Sequence, residues 1–234
     1  MDRGHLLVFA LLFSGFTCES GEGTAGRQSS DLIDPMHEVE KQIQNCADMA
    51  IRCCVGLKTV DGAWGSGVII AESGLILSSS HLFSLDEGSS VEVFCHDGGS
   101  YPAKLIRVDR ESDVALVKFD SFSPPSTSVA VWESTSINSF PVSGSAFIAA
   151  GHASGYSSSY PAAPVRVGFG FVRQNDPMVF TTCSMTAGDS GGPLFDVEGN
   201  LRAIHKTMDA DGKFSTHVPL SVILKQWPEL TEAN

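Results

Sequence analysis

Thr186-Ala187-Gly188-Asp189-Ser190-Gly191-Gly192-Pro193-Leu194 sets a serine among three glycines, with an acid before it and a proline after the last glycine. Glycine takes up φ > 0 and lets backbone approach a reacting carbonyl closely. Two backbone N–H groups two residues apart can then point into one small volume. Donors in that arrangement form an oxyanion hole, aimed where negative charge develops on an attacked acyl carbon. The stretch lies between Met178-Val179-Phe180-Thr181-Thr182 and Leu194-Phe195, so it reads as a loop joining two strands. A serine hydroxyl is a weak nucleophile by itself, and this reading requires a histidine base and a group to orient it.

Of the seven histidines, His81 has the most telling context. The apolar run Leu75-Ile76-Leu77 ends in Ser78-Ser79-Ser80, and the histidine emerges at the mouth of a rigid strand. Catalysis favours a base held on such an element over one on a loose loop. The acid is Asp113, which opens the apolar strand Val114-Ala115-Leu116-Val117. A carboxylate there can accept Nδ1–H from the imidazole, fix its tautomer and stabilise the imidazolium. Asp109, in a turn, and Asp120, at the strand's far end, are the competing acids.

Outward from these residues the chain reads as short strands punctuated by Gly, Asn and Asp. The first half holds Met49–Lys58, Gly67–Ile70, Leu75–Leu77, Val91–Cys95, Ala103–Val108 and Val114–Phe119. After Pro124-Pro125 the second half holds Ser145–Ala150, Val165–Val172, Met178–Thr182, Leu194–Val197, Leu201–Thr207 and Phe214–Val218. A dozen strands at this spacing predict antiparallel barrels and argue against a βαβ sheet. A short helix is expected from Asp34 as N-cap and Pro35 as first helical residue, with Met36, Val39 and Ile43 on one face. A closing helix is expected over Leu220–Trp227, and Ser154–Pro164 reads as an exposed loop.

Gly65-Ser66-Gly67, Ser80-His81, Asp113-Val114-Ala115-Leu116 and Gly188-Asp189-Ser190-Gly191-Gly192-Pro193 together resemble the trypsin-like serine proteases, most closely the HtrA/Deg protease domain. The resemblance runs from about Met49 to Leu224. It implies an all-β fold of two six-stranded antiparallel barrels, with the active site in the cleft between them and short helices at either end. It implies a serine endopeptidase working through an acyl-enzyme. His81 would be general base and acid, Asp113 its orienting group and Ser190 the nucleophile, with the N–H groups of Gly188 and Ser190 as oxyanion hole. In the digestive branch the residue six before the nucleophile floors the specificity pocket. That position is Ser184, and a neutral floor favours small or apolar side chains.

The chain departs from those families in three respects. About ten residues follow Leu224, so no PDZ module is expected in this chain. Asp189 precedes the nucleophile as in the digestive branch, where HtrA-like members usually carry Asn. No Ile-Val-Gly-Gly-like start appears upstream, so activation by insertion of a new amino terminus toward Asp189 is not expected. Two other readings compete. The Gly-x-Ser-x-Gly pattern also fits the nucleophile elbow of α/β-hydrolases, but only His205 and His217 follow the serine and the tail is short for that fold. A catalytically inactive protease-fold scaffold is the alternative function, against which the presence of all three triad residue types speaks.

A formal net charge of −12 argues against a phosphate-binding surface and against attraction to anionic lipid, so no nucleic acid is expected as partner. Residues 1–20 read as a secretory signal: Arg3, the apolar run Leu6–Phe13, then small residues, with a run too short to span a bilayer. This predicts a secreted or periplasmic protein without stable membrane insertion. Residues 21–45 follow as linker and short helix, then 46–228 as the protease domain, with barrels at about 49–122 and 129–220. Without Cys18, an odd set of Cys46, Cys53, Cys54, Cys95 and Cys183 remains, allowing at most two internal bridges. Cys53 and Cys54 would alternate faces on a strand and have different partners. No zinc-ligand spacing recurs, so neither metal nor cofactor is expected. Expected partners are protein or peptide substrates, and the Met36, Val39, Ile43 face could either associate copies of the chain or dock on its own core.

Overall fold

Two closed barrels account for the strand pattern in the computed structural model, which describes residues 30–121, 129–132, 143–152, 166–175 and 178–228. After helix α1 (Ser30–Cys53), the first barrel comprises β1 (Cys54–Thr59), β2 (Trp64–Ile69), β3 (Leu75–Ser78), β4 (Ser90–Phe94), β5 (Ser100–Asp109) and β6 (Val114–Phe119). They close in the order β1-β2-β3-β6-β5-β4. The second barrel comprises β7 (Ala146–Gly151), β8 (Arg166–Asn175), β9 (Val179–Thr181), β10 (Pro193–Asp196), β11 (Leu201–Met208) and β12 (Ser215–Pro219). Its order is β10-β11-β12-β9-β8-β7, and α2 (Leu220–Gln226) follows. The signal-like segment, the polar stretch after it, Pro124-Pro125 and the loop at Ser154–Pro164 lie outside the described residues.

Side-chain alternation explains which strands read as continuously apolar. Successive residues of a strand face opposite sides of the sheet. In β2, β3 and β6 one face fills the first barrel with Ile69, Ile76, Ala115 and Val117. The other face, with Val68, Leu77, Val114 and Leu116, packs against Ile148, Phe195, Ile204 and Val218 of the second barrel. Both faces are therefore buried. By contrast β4 and much of β5 alternate buried with exposed residues, since their outer face meets solvent.

The first helix departs from the expectation at both ends. It begins at Ser30, ahead of Pro35, and runs to Cys53, taking in Met49–Cys53, which the sequence pattern assigned to the first strand. The physical reason is a stripe at helical spacing: Cys46, Ala50 and Cys53 are all buried against the seam between barrels. A short apolar run suits a buried helix as well as a strand, and periodicity alone does not separate them. Cys53 thus ends the helix and Cys54 starts β1, so the pair does not alternate along one strand. All five described cysteines are buried free thiols. Ile43 packs on the core while Val39 is exposed. At the other end, a helix of seven residues does not persist alone in water. Burial of Leu220, Ile223, Leu224 and Trp227, at about 1.5–3 kcal/mol for each such side chain, holds α2 in place.

One buried polar pair sits within the second barrel. His205 of β11 and His217 of β12 are directly opposed, with their Nδ1 atoms 2.8 Å apart, and His217 Nε2 lies 2.7 Å from Thr181 Oγ1. Burial, then the neighbouring His205, hold the pKa of His217 well below the ordinary 6.5. The folded state thus keeps His217 neutral where the unfolded chain would protonate it, and stability is lost as pH falls below that ordinary value. The urea midpoint is expected to drop between pH 7.5 and 5.5, with a contribution from this residue of at most about 1.4 kcal/mol per pH unit. His217→Gln should flatten the profile in that window even though it lowers stability at pH 7.5. Parallel profiles for the two proteins would assign the dependence elsewhere.

Candidate active site

Two consecutive turns shape the loop that carries Ser190. Asp189 N–H donates to the Thr186 carbonyl (3.1 Å) with Gly188 at φ +96°, and Gly192 N–H donates to the Asp189 carbonyl (2.9 Å) with Gly191 at φ +84°. A glycine is needed at the third position of each turn because φ is positive there. The Asp189 carboxylate is buried; its Oδ2 accepts from Thr186 N–H at 2.8 Å, and a Cβ at Gly151 of β7 would collide with it. Among the described residues, the N–H groups of Gly188 and Ser190 donate to no protein acceptor.

The loop is tied to the first barrel through Ser66 of β2. Ser66 N–H donates to the Ser190 carbonyl (2.8 Å), and its Oγ donates to the Gly188 carbonyl (2.6 Å) while accepting from His152 N–H (2.8 Å). The Ser66 carbonyl in turn accepts from Ser78 Oγ at 2.7 Å. A side chain at Gly191 would overlap both Ser66 and Ser78. Ser79 Oγ makes a second tie, donating to the His205 carbonyl (2.7 Å), which also accepts from Gly191 N–H (2.9 Å).

His81 sits in a single 3-10 turn, Ser80–Leu82, just past the end of β3. Asp113 lies at the start of β6 with φ +60°, the one non-glycine residue at positive φ among those described. Its carboxylate accepts from His81 N–H (3.0 Å) and Ser80 Oγ (3.1 Å), and His81 Nδ1 lies 3.0 Å from Oδ2. An ionised carboxylate only accepts, so Nδ1 carries the proton and Nε2 of the neutral ring is left as an acceptor. Burial alone would raise the pKa of Asp113. The hydrogen bonds and charge supplied by His81, with the Ser80 hydroxyl, outweigh it and hold the carboxyl below its ordinary range. Arg110 braces the same turn, donating to the Ser80 carbonyl (2.9 Å) and to the Phe83 carbonyl.

His81, Asp113 and Ser190 line one cleft of about 650 Å³. Its other walls are Met185, Thr186 and Ala187 on one side and Lys206, Thr207 and Met208 of β11 on another. Gly188 lies in the loop between Ala187 and Ser190. Ser184 is not brought to this cleft: it is exposed and absent from the lining. Ser66 and Ser80 stand in the motifs quoted above, and Ser78 and Ser79 precede His81, but the sequence assigns no site role to any of them, nor to Arg110 or Lys206. The run of three serines before His81 was the visible signal, since hydroxyls at a strand's end suit backbone carbonyls nearby. Among the described residues no cluster of His, Cys, Asp or Glu could hold a metal ion, and no helix is long and apolar enough to cross a membrane. Burial pushes the thiols of Cys46 and Cys95 up to about 12 and raises those of Cys53, Cys54 and Cys183 as well. A protonated, buried thiol is inert, which leaves Ser190 without a rival nucleophile of that type among them.

The family model for the trypsin-like peptidase domain matches residues 65–204. Similar curated proteins include a probable periplasmic serine endoprotease DegP-like of Pseudomonas fulva (strain 12-X), 29% identical over 167 residues that cover 68% of this chain and 33% of that one. The protein of the same description from Chlamydia muridarum (strain MoPn / Nigg) is 22% identical over 153 residues, covering 62% of this chain and 28% of its own. The chain thus spans about a third of the length of the curated relatives it matches. A crystal structure of the serine endoprotease from Yersinia pestis shares the fold, with a TM-score of 0.67 at 23% identity over 81% of this chain and 66% of that one. Two six-stranded barrels, a cleft between them and a family match over more than half its length place the chain in the trypsin-like peptidase domain family.

Proposed function

We propose that this domain is a serine endopeptidase that cleaves protein or peptide substrates outside the cytoplasm. The observation that carries the reading is the hydrogen-bonded His81–Asp113 pair sharing one cleft with Ser190. In this scheme Ser190 Oγ attacks the scissile carbonyl as His81 Nε2 takes its proton. The oxyanion is received by the N–H groups of Gly188 and Ser190, which have no protein acceptor to give up among the described residues. Asp113 stabilises the imidazolium, which then protonates the leaving amine. Water, deprotonated by the same imidazole, attacks the acyl-enzyme, releases the acid product and returns the proton to Ser190. The naming of the relatives as periplasmic, together with the signal-like residues 1–20, supports the extracytoplasmic setting.

Ser190→Ala is expected to lower peptide hydrolysis by on the order of 10⁴-fold or more while leaving the urea midpoint unchanged. A fluorophosphonate should label the purified protein once, on Ser190, and His81→Ala should suppress labelling. A folded protein that hydrolyses peptides equally well without the Ser190 hydroxyl would remove that residue from the mechanism.

Asp113 supplies a second test, through pH. Its folded pKa is depressed, so the stability it contributes is fully present above its ordinary pKa of 3.8 and is lost as pH falls through the lower folded value. The gap in urea midpoint between wild type and Asp113→Asn should therefore be widest above about pH 5 and close as pH drops below the ordinary value. At neutral pH the same substitution should reduce turnover by about 10⁴-fold, because the wrong imidazole tautomer is then favoured. A gap that widens on acidification would refute the assigned charge state.

A further inference from the structure

The cleft carries a charge opposite in sign to the chain as a whole. The formal net charge is −12, yet the cleft lining includes two cations, Arg110 and Lys206, and a single acid, Asp113. Asp113 is already engaged by His81 and Ser80. Arg110 spends its guanidinium N–H groups on the backbone carbonyls of Ser80 and Phe83, which supply no compensating charge. Lys206 has no ion-pair or side-chain hydrogen-bond partner among the described residues.

Backbone geometry singles out Lys206 further. In the pairing of β11 with β12, His205 faces His217 and Thr207 faces Thr216, so Lys206 is the extra residue of a β-bulge with no partner opposite it. Bulges recur beside active sites, where the local kink re-aims a side chain out of the regular alternation. Here the kink falls between the buried His205, whose carbonyl braces the Ser190 loop, and the exposed Thr207 and Met208 of the cleft wall.

We propose that Lys206 is a specificity-determining residue that pairs with a carboxylate side chain of the bound peptide, so that the cleft selects acidic residues near the scissile bond. The inference rests on the peptidase reading and adds a substrate class to it. Arg110, held in place by two carbonyls, adds long-range attraction without being free to move onto the ligand. The acidic surface elsewhere repels the same peptides, so selection falls on those that place a carboxylate within reach of Lys206. The apolar wall of Met185, Ala187 and Met208 accommodates a neighbouring apolar side chain.

The test uses pairs of fluorogenic peptides that differ only by Glu or Gln, scanned position by position on both sides of the bond. At one position the wild-type protein should favour Glu by about threefold to tenfold in kcat/KM, the range of a partly solvated ion pair. The ratio should shrink at high salt. Lys206→Met should bring it to about one, and Lys206→Glu should transfer the preference to a Lys peptide. A wild-type ratio near one at every position, or a Glu preference that survives in Lys206→Met, overturns the assignment. Binding to the Ser190→Ala protein, followed by fluorescence anisotropy with the same peptides, reads the preference without turnover. Tighter binding of Glu than Gln that is lost on adding Lys206→Met supports the proposal. Equal binding of the two, including none of either, overturns it. Failure of the wild type both to hydrolyse any peptide and to react with fluorophosphonate would instead defeat only the peptidase reading.

Discussion

Everything at the cleft depends on the seam that Ser66 makes between the two barrels. The Ser66–Gly188 and Ser79–His205 bonds join chain segments more than a hundred positions apart, and each barrel is closed on itself. Nothing within either barrel sets where His81 stands relative to Ser190. Ser66 supplies much of that registration through its N–H and both roles of its hydroxyl, while its carbonyl holds Ser78 within the first barrel and Ser79 adds a second tie to His205. Each hydrogen bond contributes about 1 kcal/mol net, but leaving one buried group unpaired costs about 1–3 kcal/mol. A slip of the seam would strand several such groups together, so the arrangement resists small displacements. The absence of a side chain at Gly191 belongs to the same constraint, since it lets the loop lie directly on Ser66 and Ser78.

Much of this was legible in the sequence, and the parts that were not share a cause. The strand pattern, the turn glycines around Ser190 and the strand-end positions of His81 and Asp113 are local features, and local features leave periodic or compositional traces. Ser66 and Ser79 act on partners far away in the chain, and a serine carries no trace of which distant carbonyl it will meet. Ser184 shows the opposite failure. Its offset from Ser190 places it on the floor of a pocket only if the intervening loop follows one particular path. Here Met185–Ala187 occupy the wall and Ser184 turns out to solvent. The helix boundary at Cys53 was hidden because Met49–Cys53 is apolar enough to suit either element, and the choice is made by packing against the second barrel.

Two kinds of histidine environment in one chain show how the fold allots proton chemistry. His217 is fully enclosed and bonded to His205 and Thr181, and burial beside His205 disfavours its charged form. His81 has a side chain 44% exposed and lies against the carboxylate of Asp113, so a proton gained on the ring meets a compensating charge. The same residue type is thus made inert in one barrel wall and responsive at the cleft.

That responsiveness requires the carboxylate to stay ionised despite its burial, and the backbone is bent to achieve it. Asp113 adopts φ +60°, a left-handed conformation that aspartate tolerates better than most residues, although at some cost. In return its carboxylate meets three donors from the Ser80–His81 turn, one of them the ring it must orient. Donors to the charged form offset the desolvation that would otherwise neutralise it. Arg110 secures the carbonyls on either side of that turn, so the donors cannot relax away from the acid. An extended backbone at residue 113 would avoid the strain but swing the carboxylate off this donor set. The one strained non-glycine residue in the described chain therefore coincides with the one buried acid that must remain charged beside the cleft base.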